Sequence, residues 1–534
     1  MFAQQKRRVL DQALILCSLF FFMFPNMSSS SEMGGLAVDI EIAATPLHEW
    51  MPSVTYNPID NEFLVLWHTT GVREEGEEKM YSMHAQRISP DGQLLEEEPF
   101  SIVESFGPER RILPNAAHNP FTNEYMVAFA MGQELTEWDP FITVIASDGR
   151  SIVGPLPVSE ELTKANHVNI VFNSKKKQYL IVYNDNRNGD ADIFGVIVDE
   201  GGAIIKEDFE ISNADGNQIN PYSCYNPLSD TYLVNWEDFR HVSDWQQLSN
   251  IYGALLDAEG NFIAEDIPMC EDHGLPDEGD QRHNNIAYNP DKNEFLVSWT
   301  DMRPSLNNVG VVGRIINADG TLAGEHLILT DPAEAQIFPH IVYVRPKKSY
   351  FALWEDNRND EPNTYWRNAA NLDIYAGWLN SSGDPIGSHL PLWTGDGVQR
   401  YSRLAYSPLM DRFLIVWRDE VEEEGLEEGG SGHIVESGGN IMGKMYGVPS
   451  FMTGRTVEQE TGTPIQDALV VCVGPSLFSL LKTNSGGWFN IAENAQTTGT
   501  YFIMVFKLGY HINAEFVNYE DEHIQPTIEM RRWW

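Results

Sequence analysis

One recurring phrase constrains the fold of this chain more than any other feature. NPIDNEFLVLW, from Asn57 to Trp67, returns as NPFTNEYMVAF, NSKKKQYLIVY, NPLSDTYLVNW, NPDKNEFLVSW, RPKKSYFALW and SPLMDRFLIVW, which makes seven copies. The closing aromatics, Trp67, Phe129, Tyr183, Trp236, Trp299, Trp354 and Trp417, lie 53 to 63 residues apart. A period of that length marks one supersecondary unit repeated, because so small a unit cannot bury its own apolar face and stacks on its neighbours instead.

Turn chemistry orders the strands within each unit. A first strand such as PYSCY ends at an Asn-Pro turn, and the second, such as YLVNW, is apolar throughout, as a strand covered on both faces should be. A third strand, such as IYGALLD, runs into a glycine hairpin: PDG at Asp91, SDG at Asp148, AEG at Glu259, ADG at Asp319. Glycine there supplies the positive φ of a tight hairpin. A fourth strand follows, as in DFEIS and EHLILT. The seventh copy has no fourth strand before the text changes at Met452, whereas VDIEIAATPLHEWMPSVTYNP from Val38 aligns with EDFEISNADGNQINPYSCYNP from Glu207. Pairing Asp39 to Ala43 onto the last unit would close the array and remove its open edge. The expected fold class is therefore all-β: a seven-bladed β-propeller over residues 36–450, closed by an N-terminal strand, followed by a small β-sandwich over residues 452–534.

The remaining bounds come from composition. With 35 Lys and Arg against 78 Asp and Glu, the formal charge is −43, which disfavours a nucleic-acid partner. Lys6, Arg7 and Arg8 precede an apolar run from Ala13 to Phe24, so residues 1–31 read as a secretory signal peptide, too short to span a bilayer. The expectation is a monomer without a membrane span, secreted, periplasmic or at the cell surface. Cys224 and Cys270 fall on the first and last strands of one unit, about 14 Å apart, too far for a disulfide.

Several residues are candidates for function or for scaffold. Asp185 with Arg187, Asp238 with Arg240, Asp301 with Arg303 and Asp356 with Arg358 recur just after the second strand; a pair repeated four times suits structural ion pairing better than a catalytic site. A calcium loop built on Asp185, Asp190 and Asp192 is the alternative, but these residues lack regular ligand spacing, so no cofactor and no metal are expected. Insertions gather on the rim formed by the second-to-third and fourth-to-first connections, where Trp138, Trp245, Tyr365 and Trp366 suit stacking on a sugar or, equally, local packing. The first-strand column Ser53, Asn115, Asn169, Tyr222, Asn285, His340 and Arg403 is polar in otherwise apolar strands, and His340 and Arg403 are ligand candidates at the channel; polar contacts between blades are the plainer account. HIVE, from His433, has an H-x-x-E form but lies in a Gly- and Glu-rich insertion and reads as a solvated loop. Motifs for serine hydrolases, zincins, phosphate loops and dinucleotides are absent.

Two resemblances add to this. TGRTVEQETGTPIQDALVVCV, KTNSGGWFNI and GTYFIMVFKLGYH resemble the carboxypeptidase regulatory-like family of prealbumin-type sandwiches, through Gly454, Gly462, Pro464, Phe489 and Tyr501 among others. That resemblance implies an accessory module of carbohydrate-binding-like fold and brings no catalytic residue. The repeat itself resembles the W-x-D-x-R repeats of secreted bacterial propeller proteins, which implies no single activity. The function expected is non-catalytic binding of carbohydrate or an extracellular protein, with a polysaccharide hydrolase or lyase and a cell-envelope scaffold as alternatives.

Overall fold

The computed structural model describes residues 36–45, 48–71, 80–103, 114–134, 137–159, 165–241, 248–270, 279–303, 309–330, 335–360, 371–395, 397–420, 439–447, 450–473, 478–492, 499–519 and 527–532. Their strands form seven four-stranded antiparallel sheets, followed by one sheet of three strands and one of four. Six of the seven take consecutive strands. The last joins Leu36–Ala43 to Gly439–Gly447, with Asp39 opposite Lys444.

The innermost strands are His48–Asn57, Asn115–Asn119, Asn166–Asn173, Gln218–Asn226, Gln281–Asn289, Gln336–Val344 and Val398–Ser407. Each packs against the innermost strand of the sheets before and after it, and the seventh packs against the first, so the strands surround a central channel. This closed ring of radial sheets is the propeller architecture.

The repeated phrase explains why the ring holds. Its apolar half is the second strand of each sheet, buried at every position in Gln178–Asp185 and Thr231–Asp238. Seven apolar clusters each bridge two consecutive sheets, for instance Val234 and Trp236 with Leu180 and Val182. Trp67, Trp236, Trp299, Trp354 and Trp417 are fully buried there. The Asn that opens the phrase works at the turn: Asn57 Oδ1 accepts from the amides of Ile59 and Asp60, while its Nδ2 donates to Asn123 of the next sheet. Asn226 does the same with Leu228, Ser229 and Asn293. Asn61, Asn123 and Asn293 adopt left-handed backbone at φ 56°, 58° and 55°, which asparagine tolerates.

The last two sheets share one core, in which Ile465, Val470, Cys472, Phe489, Tyr501 and Ile503 are buried, and together they form a sandwich. Its first strand begins at Ser450 and pairs with Trp488–Ala492, and the last described strand of the ring ends at Gly447. The sandwich rests on the first Asn-Pro turn: Trp488 Nε1 donates to Ile59 O at 2.7 Å, and Asn484 Nδ2 to Pro58 O at 3.2 Å. It therefore sits on the rim opposite the second-to-third connections. Among the described residues, Cys224, Cys270 and Cys472 form no disulfide. Among the described residues, no helix is long and apolar enough to cross a membrane.

Candidate binding site in the central channel

The recurrent Asp-Arg pairs lie at the outer end of the second strands and make the same contacts each time. Arg187, Arg240, Arg303 and Arg358 approach Asp185, Asp238, Asp301 and Asp356 at 2.7, 2.7, 2.8 and 2.5 Å. The aspartates are buried. Three of them also accept a hydrogen bond from the indole two residues earlier, Trp236, Trp299 or Trp354. Arg187, Arg240 and Arg358 stack over Phe194, Tyr252 and Tyr375 of the third strand at about 4 Å. Arg187 reaches Asp208 and Arg240 reaches Asp266, both on the fourth strand. The Asp185–Arg187 and Asp238–Arg240 pairs thus each tie three strands of their own sheet. Asp185 is committed to Arg187 and Asp192 accepts from Asn188, so these carboxylates are already engaged by side chains.

Nearer the axis, the first strands do something the sequence did not announce. Six of the seven shift register by a bulge, and the residue at each bulge is left-handed: Met51, His167, Asn220, His283, Phe338 and Tyr401, at φ between 48° and 58°. Non-glycine residues of this bulk seldom adopt such backbone, and bulges serve to re-aim side chains. All six line the channel cavity. His283 stacks on Phe338 with centroids 3.6 Å apart, and Phe338 meets Tyr401 edge-on at 6.1 Å.

Three of the bulges are held by the residue following the closing aromatic of the preceding sheet. Glu237 accepts from the His283 amide at 2.8 Å and from Asn220 Nδ2 at 2.9 Å. Thr300 accepts from the Phe338 amide at 3.1 Å, and Glu355 accepts from the Ser402 amide, also at 3.1 Å. Arg418, at the same position in the seventh sheet, lies 3.6 Å above the Trp50 ring of the first. A sequence signal existed: this position is polar in His68, Asn184, Glu237, Thr300, Glu355 and Arg418, within strands that are otherwise buried and apolar.

Burial pushes the carboxyls of both Glu237 and Glu355 up to about 7, more than their hydrogen bonds pull them down. The folded state therefore holds these protons over the window from 4.5, the ordinary value, to about 7, and stability falls as pH rises through it. Above that window the full cost is present. Glu355→Gln keeps an acceptor for Ser402 N and removes the charge; it is expected to gain roughly 3 kcal/mol at pH 8, with the gain vanishing below pH ~4.5. Urea midpoints measured at both pH values check this, and identical midpoints at pH 8 would contradict it.

The cavity has a volume of about 110 Å3 and is bounded by first strands from all seven sheets. Arg403 stretches across it from the seventh sheet to the fourth, donating to Tyr222 OH at 3.1 Å and, on its own side, to Ser402 O at 2.9 Å. His340 is half-buried and does not line the cavity; burial, reinforced by the charge of Arg403, pushes its imidazole down to about 3. Three other members of the polar column tie neighbouring sheets. Asn115 donates to Val168 O, Asn169 accepts from Ser223, and Asn285 accepts from the Ile341 amide. The side chain of Trp138, and Trp245, Tyr365, Trp366 and the HIVE segment, lie outside the described residues.

No family model matches the chain, and no curated protein sequence matches it. Among solved structures, the chain is similar to the Dos1 propeller (8% identity, 77% of this chain and 94% of that one, TM-score 0.40). It is similar to the α-L-arabinofuranosidase Arb93A from Fusarium graminearum (11% identity, 63% and 96%, TM-score 0.40). A Hadza microbial sialidase gives 11% identity, 72% and 93%, and a TM-score of 0.40. At these scores the likeness carries nothing about activity.

Proposed function

We propose that the protein is a secreted, non-catalytic binding protein that takes a carbohydrate at the channel mouth, on the rim of the second-to-third connections, with the sandwich as an accessory module. The observation that carries this reading is the set of rings, His283, Phe338 and Tyr401, gathered at one end of the channel on bulged backbone beside polar groups. Flat rings beside hydrogen-bonding groups suit the apolar faces and hydroxyls of sugars. The nearby carboxylates favour binding over hydrolysis: Glu237 and Glu355 each accept from a backbone amide of the next sheet, and of the two only Glu237 lines the cavity, so they do not face it as an acid–base pair. A cavity of about 110 Å3 is smaller than the roughly 300 Å3 at which small-molecule pockets begin, so it admits a terminal group rather than a buried oligosaccharide. The test is incubation of the protein with a panel of polysaccharides, recording both retention on the polymer and polymer length. Retention at constant length is expected; shortening would make the protein a hydrolase or lyase.

A further inference from the structure

We infer that Arg403 is the anchor of a carboxylate-binding subsite in the channel, so that the preferred ligand carries a uronic acid or a comparable singly charged carboxylate. The inference deepens the carbohydrate reading and rests on it.

The argument is one of charge. Acidic residues outnumber Lys and Arg by 78 to 35, and arginines elsewhere, Arg187, Arg240 and Arg412 among them, sit against carboxylates. Arg403 makes no such direct pair: among the described residues no carboxylate lies within 4.0 Å of it, buried Glu355 feels its charge only from beyond that distance, and its two hydrogen bonds go to the neutral Tyr222 hydroxyl and the Ser402 carbonyl. A guanidinium has five N–H donors, so three remain. It is half-buried in the cavity wall, where a charge withdrawn from water calls for an opposite charge. The lining contains one other formal charge, Glu237, whose acceptor oxygen is held by His283 N and Asn220. The bond that Arg403 donates across the channel to the Tyr222 hydroxyl holds the guanidinium in the cavity lining. Arginine's planar fork matches a carboxylate with two parallel hydrogen bonds.

Titration calorimetry with glucuronate, acetate and glucose, at constant ionic strength, tests this on the full chain. Glucuronate is expected to bind more tightly than glucose, and Arg403→Gln to weaken glucuronate about 10- to 100-fold and glucose by a clearly smaller factor. Tyr222→Phe keeps the charge and loses its tether, and should weaken glucuronate by a smaller factor; it serves if R403Q fails to fold. Acetate matching glucuronate would identify a free small carboxylate as ligand, keeping the subsite while removing the sugar. Equal binding of glucose and glucuronate, unaffected by R403Q, would overturn the subsite and leave the carbohydrate reading standing. No heat with any of the three would overturn the subsite as well.

Discussion

A variant lacking Leu36–Ala43 is expected to lose cooperative folding and to aggregate. The segment is the outer strand of the seventh sheet, hydrogen-bonded along Gly439–Gly447. Removing it takes buried Ile40 and Ile42 out of the cluster that also holds Leu414, Val416 and Met445. The partner strand is shaped for this contact: a Cβ on Gly443 would come within 2.8 Å of Ile42, so glycine there makes the room that Ile42 occupies. It also exposes an unpaired apolar edge, which recruits other chains. The ion pair of Lys444 with Asp39, at 2.8 Å, is half solvated and adds little. Circular dichroism melts and light scattering measure the loss. A synthetic peptide spanning Leu36–Ala43, added in excess, should restore part of the transition by adding the missing strand in trans. A deleted chain that melts as the full chain does would show that the ring closes some other way.

Asp238→Ala is expected to destabilise the protein by about 3–5 kcal/mol, the range for breaking a buried ion pair. Asp238 is fully buried and accepts from Trp236 Nε1, from the Arg240 amide and from Arg240 Nε, each at 2.9 Å. Alanine leaves an indole donor unsatisfied and a guanidinium, stacked on Tyr252, without its nearest counter-charge. Asp238→Asn retains acceptor and volume and should cost less. The same ordering should hold at Asp301, because Trp299 and Arg303 repeat the arrangement. Guanidinium unfolding of the two alanine and two asparagine variants gives the comparison; if alanine costs under about 1 kcal/mol, the pair is surface decoration.

Much of the ring was legible because its signals are local and repeated. Asn at the turn, glycine in the hairpin and an apolar second strand closing on an aromatic each have a mechanism confined to a few residues, and the copies reinforce one another. The strand at Leu36–Ala43 could be placed because a repeat lacking its fourth strand implies a donor elsewhere. The channel was far less legible. Tyr401, Phe338 and His283 owe their position to left-handed bulges, which no propensity announces in bulky residues. The contacts that hold those bulges cross from one sheet to the next, as from Glu237 to His283. Arg403 and His340 stood in one polar column and each follows the bulge of its strand, yet of the two only Arg403 lines the cavity, a difference the pattern of residues along the strand does not carry.

The central claim is that the bulged rings at the channel form the binding surface, and Phe338→Gly with Tyr401→Gly tests it most directly. Glycine is at ease at φ 53° and 58°, so the double variant removes both rings without straining the backbone. With the polysaccharide that wild type retains best, the account predicts a lowered melting temperature, because Phe338 packs against Ala335, Ile337 and Leu372, but a protein still folded at the assay temperature with affinity reduced about tenfold or more. Undiminished retention by a folded double variant would contradict it and move the binding surface away from the channel.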